Sequence, residues 1–523
     1  MSSVRLQKLI NSNFINYLFI FCFFLYSLFI IKHHYDGHHL GLLYSNALDL
    51  ISGKVPYKEI FLQYGFLTTL IHSLILIIFD NKLFFISVSG ALFYSLSILL
   101  ISLAIKKLIN SNYSLISTVL ILFNHPIPLL PWSNYIVFFF ITLSIFLITK
   151  KKINFFLLGL FLSLAVLSRQ EIIIPIIASF FIFCFINLKN LKKEYTYNFY
   201  KLFLGFSVPL VCFFIYLLYF EIFSYWKSYL IIPNFYLEFL KTNMFDLIIN
   251  FIIYFSTKSF FNFIITPQFF LISIILIFNS ILIVIKIFNK KKIPDNILYI
   301  SILSILLSSV SLQIEIFRSY TSVVIGIIPL LYFLEKITNK NLKSNLYKVL
   351  ILPSIFAIIF YPTGNNSTLK KNYLDNSGTI LLNKNFNFYK WPQNKINSIN
   401  LITKILINCD VEYLDNLTFD SLYSTIGNFN RIRMLPFKSS SSKHNNLDDY
   451  IDAIKNPEVN FMKKINLEIQ KKNIIFLVNK NNHIYKNYRI QPSNYYSVIK
   501  IDESFNKSKP MFLNIFVPNK CIM

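Results

Sequence analysis

The sequence predicts a polytopic α-helical membrane protein with about 11–13 transmembrane helices and a small C-terminal extracytoplasmic α/β domain. Three observations predict the class. Of 523 residues, 55% are hydrophobic, 18% are aromatic and only 14% are charged. The mean hydropathy of +0.56 is too high for a soluble globular chain. Apolar runs long enough to cross a bilayer, which takes about 20 residues as a helix, recur as far as residue 361. Lysines sit in short clusters between those runs, as the positive-inside rule requires.

That clustering also gives the net charge of +26 its plain reading, which is membrane topology. An excess of Lys, Asn, Ile and Phe is also what an AT-rich genome would produce. No basic stripe carries a nucleic-acid-binding motif, so nucleic acid is not an expected partner. The five cysteines form no CxxC. Cys22, Cys184 and Cys212 fall inside apolar runs and read as packing residues. Cys409 and Cys521 lie in the polar tail and could pair in an oxidising compartment.

Taken in order, Arg5 and Lys8 precede an apolar run over 14–31 that has no small-residue cleavage site, so it reads as an uncleaved signal anchor. Further clusters are Lys106/Lys107, Lys150 to Lys152, Lys189/Lys192/Lys193, Lys290 to Lys292 and Lys336/Lys340/Lys343. Placing them all in the cytoplasm yields spans at 14–31, 83–105, 114–130, 134–149, 153–168, 171–187, 200–220, 263–287, 297–313, 320–335 and 347–361. Two apolar segments, 64–80 and 245–255, break this parity as crossings. They are read as re-entrant or interface-lying on the outer face; counting both as crossings gives about thirteen spans.

The chain therefore divides into a transmembrane unit, 1–361, with a first outer loop at 32–82, and an extracytoplasmic unit, 362–523. The second begins where the composition turns polar at YPTGNNST. Helical spacing over 396–406 and the strand-like runs NIIFLVN (473–479), YYSVIKI (495–501) and MFLNIFV (511–517) predict a small α/β domain. SSSSK (439–443) reads as a loop.

Residues able to do chemistry concentrate in the first outer loop, KHHYDGHHLGLLYSNALDLISGKVPYKEIFLQYG. Asp36 stands just beyond the anchor. Its ordinary pKa of about 3.9 leaves it ionised, able to take or orient the proton of an acceptor hydroxyl. His34 and His38 flank it, with His33 and His39 beside them. They read as interfacial histidines, as phosphate contacts, or as a metal pair four residues apart that Gly37 interrupts. In SGKVPYKEIF, Gly53 and Pro56 make a turn and Tyr57 suits an interface. Lys54 and Lys58 either snorkel or meet lipid phosphates.

Arg169 and Glu171 interrupt LAVLSRQEIII. Each would cost about 2.5–3.5 kcal/mol at a bilayer centre, so they face a polar cavity or the interface. They form either a hairpin ion pair or a phosphate-binding arginine with its neighbour. Glu315 and Arg318 make a similar pair, and Trp132 in PIPLLPWSN reads as an interface anchor. There is no P-loop, GxSxG or dinucleotide fingerprint and no cytosolic domain for a nucleotide, so nucleotide-sugar or ATP chemistry is not expected.

Together these residues resemble the GT-C superfamily of polyprenyl-phosphate-sugar-dependent membrane glycosyltransferases, especially the PMT/ArnT-like glycosyltransferase 39 and RgtA/B/C/D-like group. The matching positions are Asp36 after the first span, 46–50, Gly53 to Tyr57, the juxtamembrane segment 64–80, and Arg169 in LAVLSRQ. Two positions depart from the pattern. Gly37 follows Asp36 where the group often has a second acid, and no acid lies near 131–134. A metal is therefore not carried over.

The resemblance implies sugar transfer from a polyprenyl-phosphate-linked donor to a glycan, lipid or protein acceptor, at the outer face of a bacterial inner membrane. Asp36 would be the base or the acceptor-orienting group, and the carrier phosphate would be the leaving group, so no soluble cofactor is needed. Arg169, with Lys54 or Lys58, would hold the donor phosphate, supported by His34, His38, Tyr57 and Glu171. Two other classes compete. An O-antigen polymerase or ligase would place its key residues in a late loop. A transporter or flippase would place charges at the midplane of paired repeats.

Overall fold

The computed structural model describes residues 13–33, 39–60, 62, 64–125, 131–187, 193–229, 267–289, 293–308, 316–339, 341–351, 377–378, 384–408, 413–417, 421–426, 430–433, 474–479, 496–502 and 512–518. His34, Asp36, His38, Glu315, the 245–255 segment, the 439–443 loop, Cys409 and Cys521 lie outside them.

Among the described residues, helices occupy part or all of each segment expected to cross. The order begins α1 Asn13–His33, α2 His39–Ile51, α3 Phe66–Ile78, α4 Leu83–Leu108, α5 Ser111–Phe123, α6 Ser133–Ile148 and α7 Phe155–Ser168. After a 3-10 turn at Gln170–Ile172 come α8 Ile173–Ile186, α9 Lys193–Tyr219, α10 Phe223–Tyr229, α11 Pro267–Asn289 and α12 Asp295–Ser308. The last helices of the bundle are α13 Ile316–Val323, α14 Ile327–Lys336 and α15 over 341–351.

Among the described residues, four helices are long and apolar enough to cross a bilayer: Phe14–His33, Leu83–Leu108, Asn198–Tyr219 and Leu271–Phe288. The shorter apolar helices, such as the 13 residues of α5, rise about 20 Å against a hydrocarbon core of about 30 Å. The architecture is that of a polytopic helical protein. Large apolar side chains stay exposed on its outer helices, among them Phe21, Phe181, Phe185, Phe203 and Ile215. That is the surface a lipid solvent asks for.

Two expectations are corrected. The 320–335 segment is not one helix, because α13 and α14 are separated by a 3-10 turn at Val324–Gly326. Side chains answer the break: Asn279 Nδ2 donates to Gly326 O at 3.2 Å and Ser304 Oγ to Val323 O at 2.9 Å. Irregular backbone at membrane depth needs such substitutes for water. Cys22 and Cys212 are not packing residues either. Both are exposed, because their helices turn them toward the outer, lipid-facing side.

The bundle has two chemically distinct ends. At one, Asn16 Nδ2 donates to Ser114 Oγ (2.8 Å), Lys107 and Lys150 approach the Phe146 ring, and Lys343 approaches that of Tyr113. Lys107, Lys150 and Lys343 are thus gathered at one end. At the other end lie the C-terminus of α1, the first loop and the C-terminus of α7. Both ends of α3 lie there as well. Gly65 N–H donates to Ser168 O at 3.1 Å. The reversal into α4 uses Asp80 and Asn81 at positive φ, with Tyr44 OH donating to Asn81 O at 2.7 Å.

Residues 384–392 hook onto this same end. Lys390 N–H donates to Lys32 O at 2.8 Å, and the Tyr389 and Ser87 hydroxyls are bonded at 2.7 Å. Phe388 stacks on Phe84, and Trp391 is wholly buried with its indole N–H on Phe386 O. Beyond the hook come α16 Gln393–Asn408 and strands β3 Tyr413–Leu417, β4 Asn430–Arg433, β5 Ile474–Asn479, β6 Tyr496–Asp502 and β7 Phe512–Pro518. They form one mixed sheet in the order β4-β3-β5-β7-β6, with β3 parallel to β4 and β5 and β7 antiparallel to β5 and β6. A two-residue antiparallel pair, β1 Ser377–Gly378 with β2 Trp391–Pro392, closes the hook.

Candidate functional site

Arg169 sits where α7 ends. Ser168 is the last helical residue, and the extended backbone of Arg169 (φ −157°, ψ 110°) leads into the 3-10 turn. The break turns a guanidinium inward. Arg169 is 7% exposed; its Nη1 donates to Asn134 Oδ1 at the start of α6, and its Nε lies 3.4 Å from Glu171 Oε2. Glu171 itself is about half exposed, so the pair joins a buried cation to a solvated anion.

Arg169 and Asn134 line a small cleft together with Thr321 and Ser322 of α13, over an apolar floor that includes Val137, Phe138 and Leu307. A buried cation flanked by neutral hydrogen-bonding groups and one half-exposed carboxylate can take a single anion in that carboxylate's place. Asn134 was not among the residues the sequence suggested. The only signal available was its position, where the resembling family places an acid.

The first loop docks directly on this elbow. Thr68 Oγ1 and Gly65 N–H both donate to Ser168 O, at 2.9 and 3.1 Å. Gly65 has to be glycine for this approach, because a Cβ there would stand 2.2 Å from Leu167 O. Gln170 Nε2 donates to Tyr57 OH at 3.1 Å. Tyr57 is buried against Phe213, with a backbone φ of +66° that a bulky residue rarely takes, a strain that surrounding contacts must hold. Burial raises its pKa, with the Gln170 hydrogen bond opposing. The phenol therefore stays protonated and acts as a fixed strut.

The turn that carries Tyr57 is built by its own side chains. Lys54 Nζ is 3.1 Å from Oδ1 of Asp49, a buried carboxylate in the last turn of α2. Glu59 Oε2 accepts from Val55 N–H at 2.7 Å, and Tyr57 N–H donates to Ile60 O at 3.0 Å. Lys54 is therefore engaged by Asp49, a residue whose part sequence reasoning did not foresee. Lys58 is exposed. Of the suggested residues, the structure brings Tyr57, Arg169 and Glu171 together and fixes Lys54 one turn away. Asp36, His34 and His38 belong to 34–38, between α1 and α2. Among the described residues no group of three His, Cys, Asp or Glu side chains could hold a metal.

Fold and site together define a polytopic helical protein with a buried arginine cleft at one end of its bundle. No family model and no curated protein matches the sequence. Among solved structures the chain is similar to the Archaeoglobus fulgidus oligosaccharyltransferase, crystallised as a complex with Zn and sulfate. The TM-score is 0.40 at 13% identity, over 74% of this chain and 55% of that one, so the chain spans about half of that enzyme's length. What this chain does has to be read from its own residues.

Proposed function

We propose that the protein is a membrane glycosyltransferase. It moves a sugar from a polyprenyl-phosphate-linked donor to a hydroxyl of a glycan, lipid or protein acceptor, on the outer face of a bacterial inner membrane. One observation carries the reading. The Gly53–Tyr57 turn and Gly65 are hydrogen-bonded to Ser168 and Gln170, so the two segments that resemble the GT-C pattern meet around one buried guanidinium.

In this reading the donor phosphate enters the cleft, and Arg169 exchanges its half-exposed partner Glu171 for it. Asn134 keeps the guanidinium oriented, and the Thr321 and Ser322 hydroxyls are the neutral donors within reach. The acceptor oxygen attacks the sugar's anomeric carbon while Asp36 takes its proton. The carbon–oxygen bond to phosphate breaks with its electron pair left on the phosphate oxygen, where Arg169 stabilises the developing charge. Lys58 is the second cation for the carrier phosphate, and His34 and His38 flank the base. Lys54, held by Asp49, and Tyr57, held by Gln170, keep the loop in register. In this reading the lysine-rich end faces the cytoplasm, as the positive-inside rule favours, and 362–523 is the extracytoplasmic unit.

The test is sugar transfer in membranes supplied with polyprenyl-phosphate sugars. Asp36→Asn and Arg169→Ala should each lower transfer about a hundredfold or more at unchanged expression. Full activity of Asp36→Asn removes the base from the mechanism. Movement of the donor across the membrane without transfer would make the protein a flippase.

A further inference from the structure

The lysine-rich end holds an arrangement that topology alone does not require. Lys107, in the last turn of α4, and Lys150, just past the end of α6, converge on one ring. Their ammonium groups lie 4.3 and 5.5 Å from the centroid of Phe146. Neither is in an ion pair or hydrogen bond with a carboxylate among the described residues. The two helix C-termini offer each a partial negative charge, which is less than two like charges meeting at one ring call for.

From this point an apolar seam runs along the α4–α6 contact toward the opposite end. Leu96, Leu100 and Leu103 on α4, and Phe139, Leu143 and Phe146 on α6, are all half-buried. Helical spacing puts each trio on one face of its helix. The two trios are joined at the far end, where the Phe93 and Phe139 rings lie 5.3 Å apart, and at the near end, where Lys107 meets Phe146. Lys107 and Phe93 are separated by fourteen residues of α4, or about 21 Å of helix. That exceeds the roughly 15 Å depth of one leaflet. The seam therefore offers a cationic head site and an acyl-length track.

We infer that the α4–α6 seam binds an anionic glycerophospholipid, with its phosphodiester between Lys107 and Lys150 and one acyl chain along the seam. This site lies at the end of the bundle opposite the arginine cleft and does not depend on what the cleft does. The headgroup supplies a counter-charge that the described residues do not, and such attraction is worth about 1 kcal/mol per lysine near a membrane surface.

The full chain, reconstituted in nanodiscs of phosphatidylcholine with and without phosphatidylglycerol, tests the inference through its melting temperature. Phosphatidylglycerol should raise the Tm of the wild type by a few degrees. Lys107→Gln/Lys150→Gln should lose most of that rise and Lys107→Arg/Lys150→Arg should keep it. So should Lys151→Gln/Lys152→Gln, which removes two exposed lysines from the same end. An equal loss in the Lys151/Lys152 pair would replace the site with general surface charge. The absence of any rise in the wild type, or the same rise from inorganic phosphate in neutral nanodiscs, would overturn it.

Discussion

Arg169 shows what a single charged residue demands of a membrane protein. A guanidinium left unpaired at this depth would cost several kcal/mol, and the fold answers with Asn134 on one side and Glu171 on the other. Only a planar fork reaches both, so Arg169→Lys should behave nearly as badly as Arg169→Ala in transfer assays while folding normally. Asn134→Ala should cost about 1–3 kcal/mol of stability, because it strips an acceptor from a buried donor. Thermal melts of the purified variant check this, and an unchanged Tm would mean that Asn134 does not hold the arginine. At this scale the sequence was half legible. A charge inside LAVLSRQEIII is conspicuous, as is a Gly–Pro turn. Its partner Asn134 stands 35 residues away in the first turn of another helix, and the Asp49 that claims Lys54 looks like any helix carboxylate. Tyr57 carries a positive φ where a sequence reader expects glycine.

Helices were the most legible elements, because an apolar run has a length and that length has a physical meaning. Their ends and interruptions were less so. The turn at Val324–Gly326 depends on Asn279 and Ser304, which belong to other helices, and no periodicity within 320–335 announces it. Packing distance was hidden too. The α7–α9 pair makes its closest approach through two glycines: a Cβ on Gly159 would stand 2.0 Å from Leu202 O, and one on Gly205 2.0 Å from Phe156 O. Small residues let membrane helices approach to this range, where packing replaces the missing hydrophobic drive. Gly205→Val should therefore push α9 from α7 and destabilise by about 1–3 kcal/mol or more. An exposed control on the same helix, Val211→Ala, should change the Tm little. Since α7 carries Arg169 at its end, Gly205→Val should also weaken transfer without touching the cleft. Equal melting of the two variants would remove the close contact from the account.

At the scale of the whole molecule, the question is whether the polar C-terminal region is a separate module or part of the membrane unit. Composition suggests a boundary near residue 361, and the sequence could say no more, because nothing in NFNFYKWP indicates a partner some three hundred residues earlier. The hook answers through contacts: Lys390 N–H donates to Lys32 O, four residues before Asp36 in the sequence. Phe386 meets Tyr44, and Tyr389 is bonded to Ser87 inside a buried aromatic cluster. Burial raises the pKa of the Tyr389 phenol, so it is protonated at every physiological pH and its bond to Ser87 is a neutral one. A buried neutral bond has a recognisable thermodynamic signature. Ser87→Ala and Tyr389→Phe should each cost about 1–3 kcal/mol by orphaning the surviving hydroxyl. The double variant should cost clearly less than their sum, because no buried hydroxyl is then left without its partner. Strictly additive costs would mean that the two groups do not meet, and the hook would lose the anchor that ties it to the helix of the first loop's far end. If the coupling is found, the C-terminal region restrains the backbone on which the proposed base is carried, and deleting it should abolish transfer even with the cleft intact.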